Sequence, residues 1–291
     1  MTGVEERTTK SGIHVFRVHY TADAMKREEE VLDRLAIGMV GGRTGRSWRR
    51  EMEIDWTVAS GVGIYSTEFR REVHVSKKPF YPVETVPLHL MFDFGLTPAC
   101  AWGFVTPTGR AMVFHEQVTW NGRNTIQTQG IEQLAEVVKL HKNRHYPKYV
   151  IEAIYADPAG NTRSQTDERT CFDALAKVFP GVPIIPGPVS SEARKKATRE
   201  VLSGMVGGEP KFMVSPSCTM IVEALDGQYK WKQVGDDENR IIDQPDKNAW
   251  SHIMESVEYW LGSVFAFSQT DEKVSDEPEY AIEQNRVSKY Y

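Results

Sequence analysis

The chain has 291 residues, 40% of them hydrophobic and 26% charged, which is ordinary globular usage and excludes a collagen, a mucin or a wholly disordered chain. That length makes one large domain or two small ones and is enough to bury a core. Its 35 basic and 40 acidic residues leave a net charge of −5, so nucleic-acid binding has to come from local basic patches and not from the overall field.

The first twelve residues are polar, and MTGVEERTTKSG lacks the apolar stretch of a secretory signal. With no run of about 18 apolar residues anywhere, the expectation is a soluble protein that stays where it is made and has no membrane partner. An alternation at Ile13, Val15, Phe16, Val18 and Tyr20 predicts a strand, closed by the turn-prone Thr21-Ala22-Asp23. From Met25 to Met39 the residues Val31, Leu32, Leu35, Ala36 and Met39 recur at helical spacing, ended by Gly38 and Gly41-Gly42. In the basic run that follows, a tryptophan among arginines packs them by cation–π contact, so Arg46, Trp48, Arg49 and Arg50 read as structural. Residues 51–87 read as an irregular linker laid against the main domain, with short strands at Ile54–Ala59 and Val73–Ser76.

From Leu88, LHLMFDFG is an almost fully apolar run ending in an acid and a glycine, the pattern of a buried central strand. Strands at Cys100–Thr106 and Arg110–Val118, joined by Pro107-Thr108-Gly109, complete a three-strand meander. Ile131, Leu134, Ala135 and Val138 mark an amphipathic helix that delivers the chain to a second apolar strand, YVIEAIYADPAG. Beyond it the pattern predicts helices at Cys171–Val178, Ala193–Met205 and near Ser217–Leu225, and strands at Val182–Ile185 and Phe212–Val214. A polar hairpin or loop over 226–249 precedes a strong helix over 250–264. Helix alternating with strand is the α/β signature. The tail from Ser268 to Tyr291 is polar and aperiodic, and mobility is expected of it. Cys100, Cys171 and Cys218, odd in number and widely spaced, suit neither a disulfide framework nor paired-cysteine zinc ligation; they read as buried small hydrophobes in a reducing compartment.

Two apolar strands each end in an aspartate followed by a turn: Asp93 and Asp157. Both acids should emerge at the carboxyl edge of parallel strands, where ligand sites of open α/β sheets lie. Two carboxylates that close need a proton or a divalent cation between them. Hard oxygen ligands suit magnesium or manganese, and a pair of such ions can activate water for phosphodiester cleavage. Acids at strand ends also serve as helix caps. The last helix offers Glu255, with His252 one turn earlier as a neighbour of the metal ligands; solvated helix residues are the plainer reading of Glu255 and Glu258.

The segments HLMFDFGLTPAC, ADPAGNTRSQTDERT and NAWSHIMESVEYW together resemble the nuclease domain of the large terminase subunit of tailed bacteriophages. FRVHYTADAMK through GRSWRREMEID looks like the segment joining motor ATPase to nuclease in that family, so the resemblance runs from about His14 to Gly262. It implies an RNase H-like fold related to Holliday-junction resolvases, a mixed sheet with an antiparallel three-strand meander plus parallel strands, flanked by helices. It implies division into a connector (1–87), a nuclease domain (88–265) and a polar tail (266–291). The implied activity is cutting of concatemeric double-stranded viral DNA during genome packaging, using two divalent ions, Mg2+ or Mn2+. The implied setting is the host cytoplasm at the procapsid, with a motor ATPase, a small terminase subunit and a portal as partners.

Carried over by position, Asp93 and Asp157 match the first two metal-ligating aspartates. Glu255 falls where the family motif has an aspartate after a histidine and two residues; Asp246 and Glu258 are the other acids that could take its role. A GxxxxGK[ST] phosphate loop is absent from the sequence, so the chain is expected to be an excised nuclease portion or a split-gene product that cannot translocate DNA alone. Backbone contacts to DNA are expected from Lys139, Lys142, Arg144 and Lys148, from Arg194, Lys195, Lys196 and Arg199, and from Arg163 beside the scissile phosphate. Two other readings stand beside this one. A degenerate nuclease domain could serve as a docking module of the packaging motor, and DFGLTPA also looks like a phosphate loop of actin-like ATPases and sugar kinases, though ADPAGN lacks the glycines of the second loop which that fold demands.

Overall fold

The computed structural model describes residues 3–266, apart from 10, 38, 40, 41, 45, 56–60, 96, 120–129, 163–168, 235 and 236. The chain opens with an antiparallel hairpin of β1 (Val4–Thr8) and β2 (His14–Val18). The helix expected from Met25 is shorter: the Asp23 side chain accepts from Met25 N and caps a 3₁₀ turn over Ala24–Arg27, Glu28 is extended, and α1 (Glu29–Ala36) starts after it. With α2 (Arg46–Glu51) it forms a small apolar cluster of Leu32, Ala36 and Trp48. Glu53 ties this cluster to the hairpin by accepting from Trp48 Nε1 (3.1 Å) while contacting His19 Nε2 (3.0 Å). The cation over the Trp48 ring is Arg43, 5.7 Å from its centroid. Arg49 and Arg50 instead pair with Asp55 and Glu51, because helical side chains one or two positions away point off the ring's face; the Arg46 side chain lies outside the described residues.

The strand expected at Val73–Ser76 is instead a short helix, α3 (Arg71–His74), followed by a single bridge from Val75 to Val214. Side-chain bonds override the β-branched pattern: His74 Nδ1 accepts from Arg70 N (2.9 Å), and Nε2 donates to Leu202 O (2.8 Å). Ile54 takes a left-handed φ of 51°, which cannot continue a strand, and the rest of that expected strand, from residue 56, lies outside the described residues. Beyond Gly61 the chain joins the main core through Ile64, Tyr65 and Phe69.

The meander is β3 (Leu88–Asp93), β4 (Ala99–Val105) and β5 (Ala111–Val118). Helix α4 (Ile131–His145) leads to β6 (Ile151–Ala156), parallel to β3, and α5 (Cys171–Val178) leads to β7 (Ile184–Pro186), parallel to β6. Then come α6 (Ser191–Ser203) and a tight hairpin of β8 (Met205–Val206) and β9 (Glu209–Pro210). Strand β10 (Phe212–Val214) adds parallel to β5, followed by α7 (Thr219–Glu223). A hairpin of β11 (Trp231–Val234) and β12 (Asp237–Pro245) precedes α8 (Ala249–Phe265). The six-stranded mixed sheet has the order β10-β5-β4-β3-β6-β7, the expected combination of a meander with parallel strands.

Every residue of β3 is buried, so the strand has no solvent face and its continuous apolar run follows. Alternation divides the sheet's side chains into two cores. Leu90, Phe92, Trp102 and Ile154 face α4 and α5, while Met91, Ala101, Ala153 and Tyr155 face α8. Each fully buried side chain of Leu or Phe size contributes about 1.5–3 kcal/mol. On β4, a Cβ at Gly103 would sit 2.5 Å from Met91 Cε, 2.7 Å from Met112 O and 3.1 Å from Trp260 Cη2 on α8, so a side chain there would collide with both neighbouring strands and crowd α8. Helix α7 is capped from another element: its N-cap residue, Cys218, makes no side-chain cap bond, and Glu116 on β5 accepts from Met220 N (2.8 Å) and Ile221 N (3.0 Å).

Two outcomes are expected. Gly103→Ala should lower stability by about 1–3 kcal/mol, read as a lower urea midpoint. Burial pushes the Glu116 carboxyl up to about 7, against the pull of its amide donors. The neutral form is therefore favoured in the folded state, a contribution present below about pH 4.5 and lost as pH rises through 7. Glu116→Gln has no such loss, so its stability relative to wild type should rise between pH 4.5 and 7.5, by up to roughly 3 kcal/mol, as followed by urea melts across that range.

Candidate active site

Strand pairing brings the two aspartates together. Phe92 pairs with Ala156 in the parallel β3–β6 ladder, and Asp157 N donates to Phe92 O (3.1 Å), so Asp93 and Asp157 occupy adjacent positions on strands about 4.8 Å apart. By the two-residue period Asp93 shares the face of Met91, and Asp157 that of Tyr155. That is the face α8 crosses, against β3, β4 and β6. On α8 the stripe Ile253, Met254, Val257, Trp260 and Leu261 is buried in the core. His252, Glu255 and Tyr259 recur at i, i+3 and i+7, which is a second face of the same helix.

Asp93 is 3% exposed, and His252 Nδ1 lies 2.7 Å from its Oδ2. Burial raises the Asp93 carboxyl to about 7; the His252 bond opposes this, and the negative charges of Glu255 and Asp157 reinforce it. The three acids therefore share one electrostatic environment. Asp157 also caps the 3₁₀ turn Pro158–Asn161, its Oδ1 accepting from Ala159 N (2.9 Å). The cap aims its carboxylate without using the second oxygen in that bond. The turn needs glycine at 160, where a Cβ would lie 2.0 Å from the Phe94 ring.

Glu255 is 5% exposed, and both its oxygens are met by Lys247 Nζ, at 2.5 and 2.6 Å. Tyr259 feels all three acids: burial first, then Asp93, Asp157 and Glu255, hold its hydroxyl proton more tightly than usual. The i+4 spacing from Glu255 was the signal by which Tyr259 could have been found; Lys247 left none, since it precedes the helix and reaches Glu255 only through the fold. Of the other two acids, Glu258 has its own side-chain partners, while Asp246 is fixed through its backbone. Glu258 is fully buried, accepting from Tyr65 OH (2.5 Å) with Arg194 Nε 3.7 Å away, and Asp246 is anchored where its N donates to Lys230 O (2.8 Å).

Two of the basic residues expected to contact DNA are turned inward. Arg194 and Lys195 are 8% and 4% exposed. Arg194 donates to Pro188 O and Val189 O and lies over the Tyr259 ring, 4.6 Å from its centroid, so its guanidinium is a packing and pairing group. Lys195 donates to Ser191 Oγ and stands over Trp231. Burial happens because α6 packs along α8, turning these two positions inward. Lys196 stays exposed near Glu200 (3.9 Å), and Arg199 reaches Glu68 (3.7 Å). Lys142 and Arg144 sit on α4, on the other side of the sheet from α8; Lys142 donates to Pro147 O (3.2 Å). Lys148 pairs with Glu84 (3.5 Å). Arg163 lies outside the described residues, as does the expected tail from residue 267. Cys100 and Cys218 are buried, and Cys171 is half-buried.

An Asp93→Asn variant keeps an acceptor for His252 and removes a buried charge. In chelator at pH 8 it should unfold at or above the wild-type urea midpoint; a loss greater than about 1 kcal/mol would mark Asp93 as a structural acid.

Across 81% of the chain the structure is similar to the large terminase from the thermophilic bacteriophage D6E, with a TM-score of 0.52, 16% identity and 52% of that chain covered. The same terminase in complex with ADP is matched over 84% of this chain and 54% of its own, with a TM-score of 0.52 and 16% identity. The P22 large terminase nuclease domain is matched over 70% of this chain and 93% of its own, at 14% identity and a TM-score of 0.48. No family model matches the sequence, and no curated protein matches it. The chain thus spans about half the length of the D6E terminase, and at these identities the likeness speaks for the fold. That fold, a six-stranded mixed sheet flanked by helices, is RNase H-like and of the kind found in large terminases.

Proposed function

We propose that this chain is a metal-dependent DNA endonuclease, the nuclease part of a phage large terminase, with Asp93, Asp157 and Glu255 as its metal ligands. The observation that carries the reading is the adjacency of Asp93 and Asp157 at the carboxyl ends of β3 and β6, under the face of α8 that bears Glu255 and His252. Among the described residues no three or more Asp, Glu, His or Cys side chains are already gathered closely enough to hold a metal, and it is the chemistry of the donor set that suits a hard divalent ion. It offers carboxylate oxygens with no cysteine among them, and a buried acid whose ionised form is disfavoured until a cation compensates it. Mg2+ or Mn2+, two ions in the full assembly, would supply an activated water and stabilisation of the leaving oxygen.

The chain's own residues do the positioning. His252 bonds the Asp93 carboxylate through Nδ1, the Ala159 amide orients Asp157, and α8 carries Glu255 one turn beyond His252. Lys196 and Arg199 on α6, and Arg163 beyond the ADPAG turn, are the groups proposed to hold the phosphate backbone near the acids; Lys142 and Arg144 would meet only DNA that passes the α4 side. Double-stranded DNA as substrate, a motor ATPase, small terminase subunit and portal as partners, and action at the procapsid in the host cytoplasm belong to the same proposal. A second reading, a docking module without cleavage, draws support from Lys247, which takes both oxygens of Glu255.

Cleavage of supercoiled plasmid by the purified chain separates the two. Nicking is expected in magnesium or manganese and not in chelator, falling to background in Asp93→Ala and Glu255→Ala, and roughly 10- to 100-fold in His252→Ala. Cutting that survives in Asp93→Ala would remove the site from the activity, and no cutting by wild type in either metal would favour the docking module.

A further inference from the structure

Glu255 is nearly shut off from solvent, with its side chain 6% exposed, and it shares its surroundings with two other acids. Like charges in such a place need a cation, and the chain supplies one. Lys247 Nζ stands 2.5 Å from Oε1 and 2.6 Å from Oε2, so a single ammonium engages both oxygens. The backbone on either side of Lys247 is pinned. Asp246 N donates to Lys230 O (2.8 Å) at the base of the β11–β12 hairpin. Asn248 caps α8 by accepting from Trp250 N and Ser251 N, and its Nδ2 donates to Gln228 O (3.2 Å). The Lys247 side chain itself is 64% exposed, so an ammonium that leaves Glu255 is rehydrated without crossing protein.

Resting on the metal-site reading above, we propose that Lys247 is the resident counter-ion of Glu255 and that a divalent ion has to displace it, so that metal loading and release of Lys247 are one event. Both Glu255 oxygens already accept from the ammonium, and an ion using either one must compete for it. A single positive charge under-compensates three carboxylates, which favours exchange for a divalent ion once enough metal is present; at low metal the ammonium holds the site. The β11–β12 hairpin becomes the handle on this equilibrium, because it sets where the Lys247 backbone sits relative to α8. Any movement of residues 245–248 changes the reach of the ammonium and with it the metal affinity.

Binding of Mn2+ to the full chain, followed through the electron paramagnetic resonance signal of the free ion, tests this without an activity assay. Lys247→Gln should bind roughly two- to fivefold more tightly than wild type, the gain expected from removing a partly exposed ion-pair competitor. Lys247→Arg keeps the charge and should bind no more tightly than wild type. Lys177→Gln, which removes an exposed lysine paired with Glu132, serves as the remote charge control and should match wild type. Equal affinity in wild type and Lys247→Gln, or the same gain in Lys177→Gln, overturns the proposal. Asp93→Asn tells that failure from failure of the metal-site reading. If wild-type binding is lost in Asp93→Asn while Lys247→Gln changes nothing, the metal site stands and the counter-ion role falls; if neither wild type nor Lys247→Gln binds Mn2+, both fall together.

Discussion

The parallel pairing of β3 with β6 is the constraint on which the rest depends. Once Phe92 is registered against Ala156, the next residue of each strand is an aspartate, and the two-residue period sends both toward the same helix. A slip of one residue in either strand would turn its acid to the opposite face. The register is held from both sides, since β3 is buried along its whole length and its two faces belong to different cores. Packing that looks purely structural therefore determines which acids meet.

Bringing those acids together costs free energy, and the surroundings show how it is offset. Asp93 is out of water, and its raised carboxyl pKa reports the penalty of ionising it there. His252 meets it from α8, the Ala159 amide meets Asp157, and Lys247 meets Glu255. One turn further along α8, Glu258 is buried still more deeply; its Oε1 accepts from Tyr65, while Arg194 Nε stands 3.7 Å from Oε2 without a hydrogen bond. The helix thus carries two buried carboxylates with different surroundings. Glu258 couples α8 to the 61–75 segment and to α6, whereas Glu255 is balanced by a cation that solvent can reclaim.

Local pattern was a good guide wherever a segment's neighbours agreed with its own preference. The helix at Cys171–Val178 and the strand at Phe212–Val214 lie where their periodicity placed them, and the meander and the last helix fall within a residue or two. The failures share a cause. Val73–Ser76 reads as a strand until the His74 ring bonds Arg70 N and Leu202 O, the latter from a residue far along the chain. Arg194 and Lys195 read as contacts to DNA until α6 is laid along α8, which buries both side chains. Trp48 attracts an arginine, as its neighbours suggested, but Arg43 reaches over the ring in place of the adjacent ones.

The sequence by itself determined the α/β alternation, the buried central strands, the position of an acid at the end of each, and the helix bearing His252 and Glu255, because these depend on periodicity and on residues near in the chain. Only the tertiary structure decided that β3 and β6 are neighbours in register, that Glu258 is buried against Tyr65, that two of the basic residues face inward, and that Lys247 closes on Glu255. Those outcomes hinge on contacts between segments up to 193 positions apart. Their energies come from excluding water at a particular place in three dimensions, and no local pattern encodes which charges will share that place.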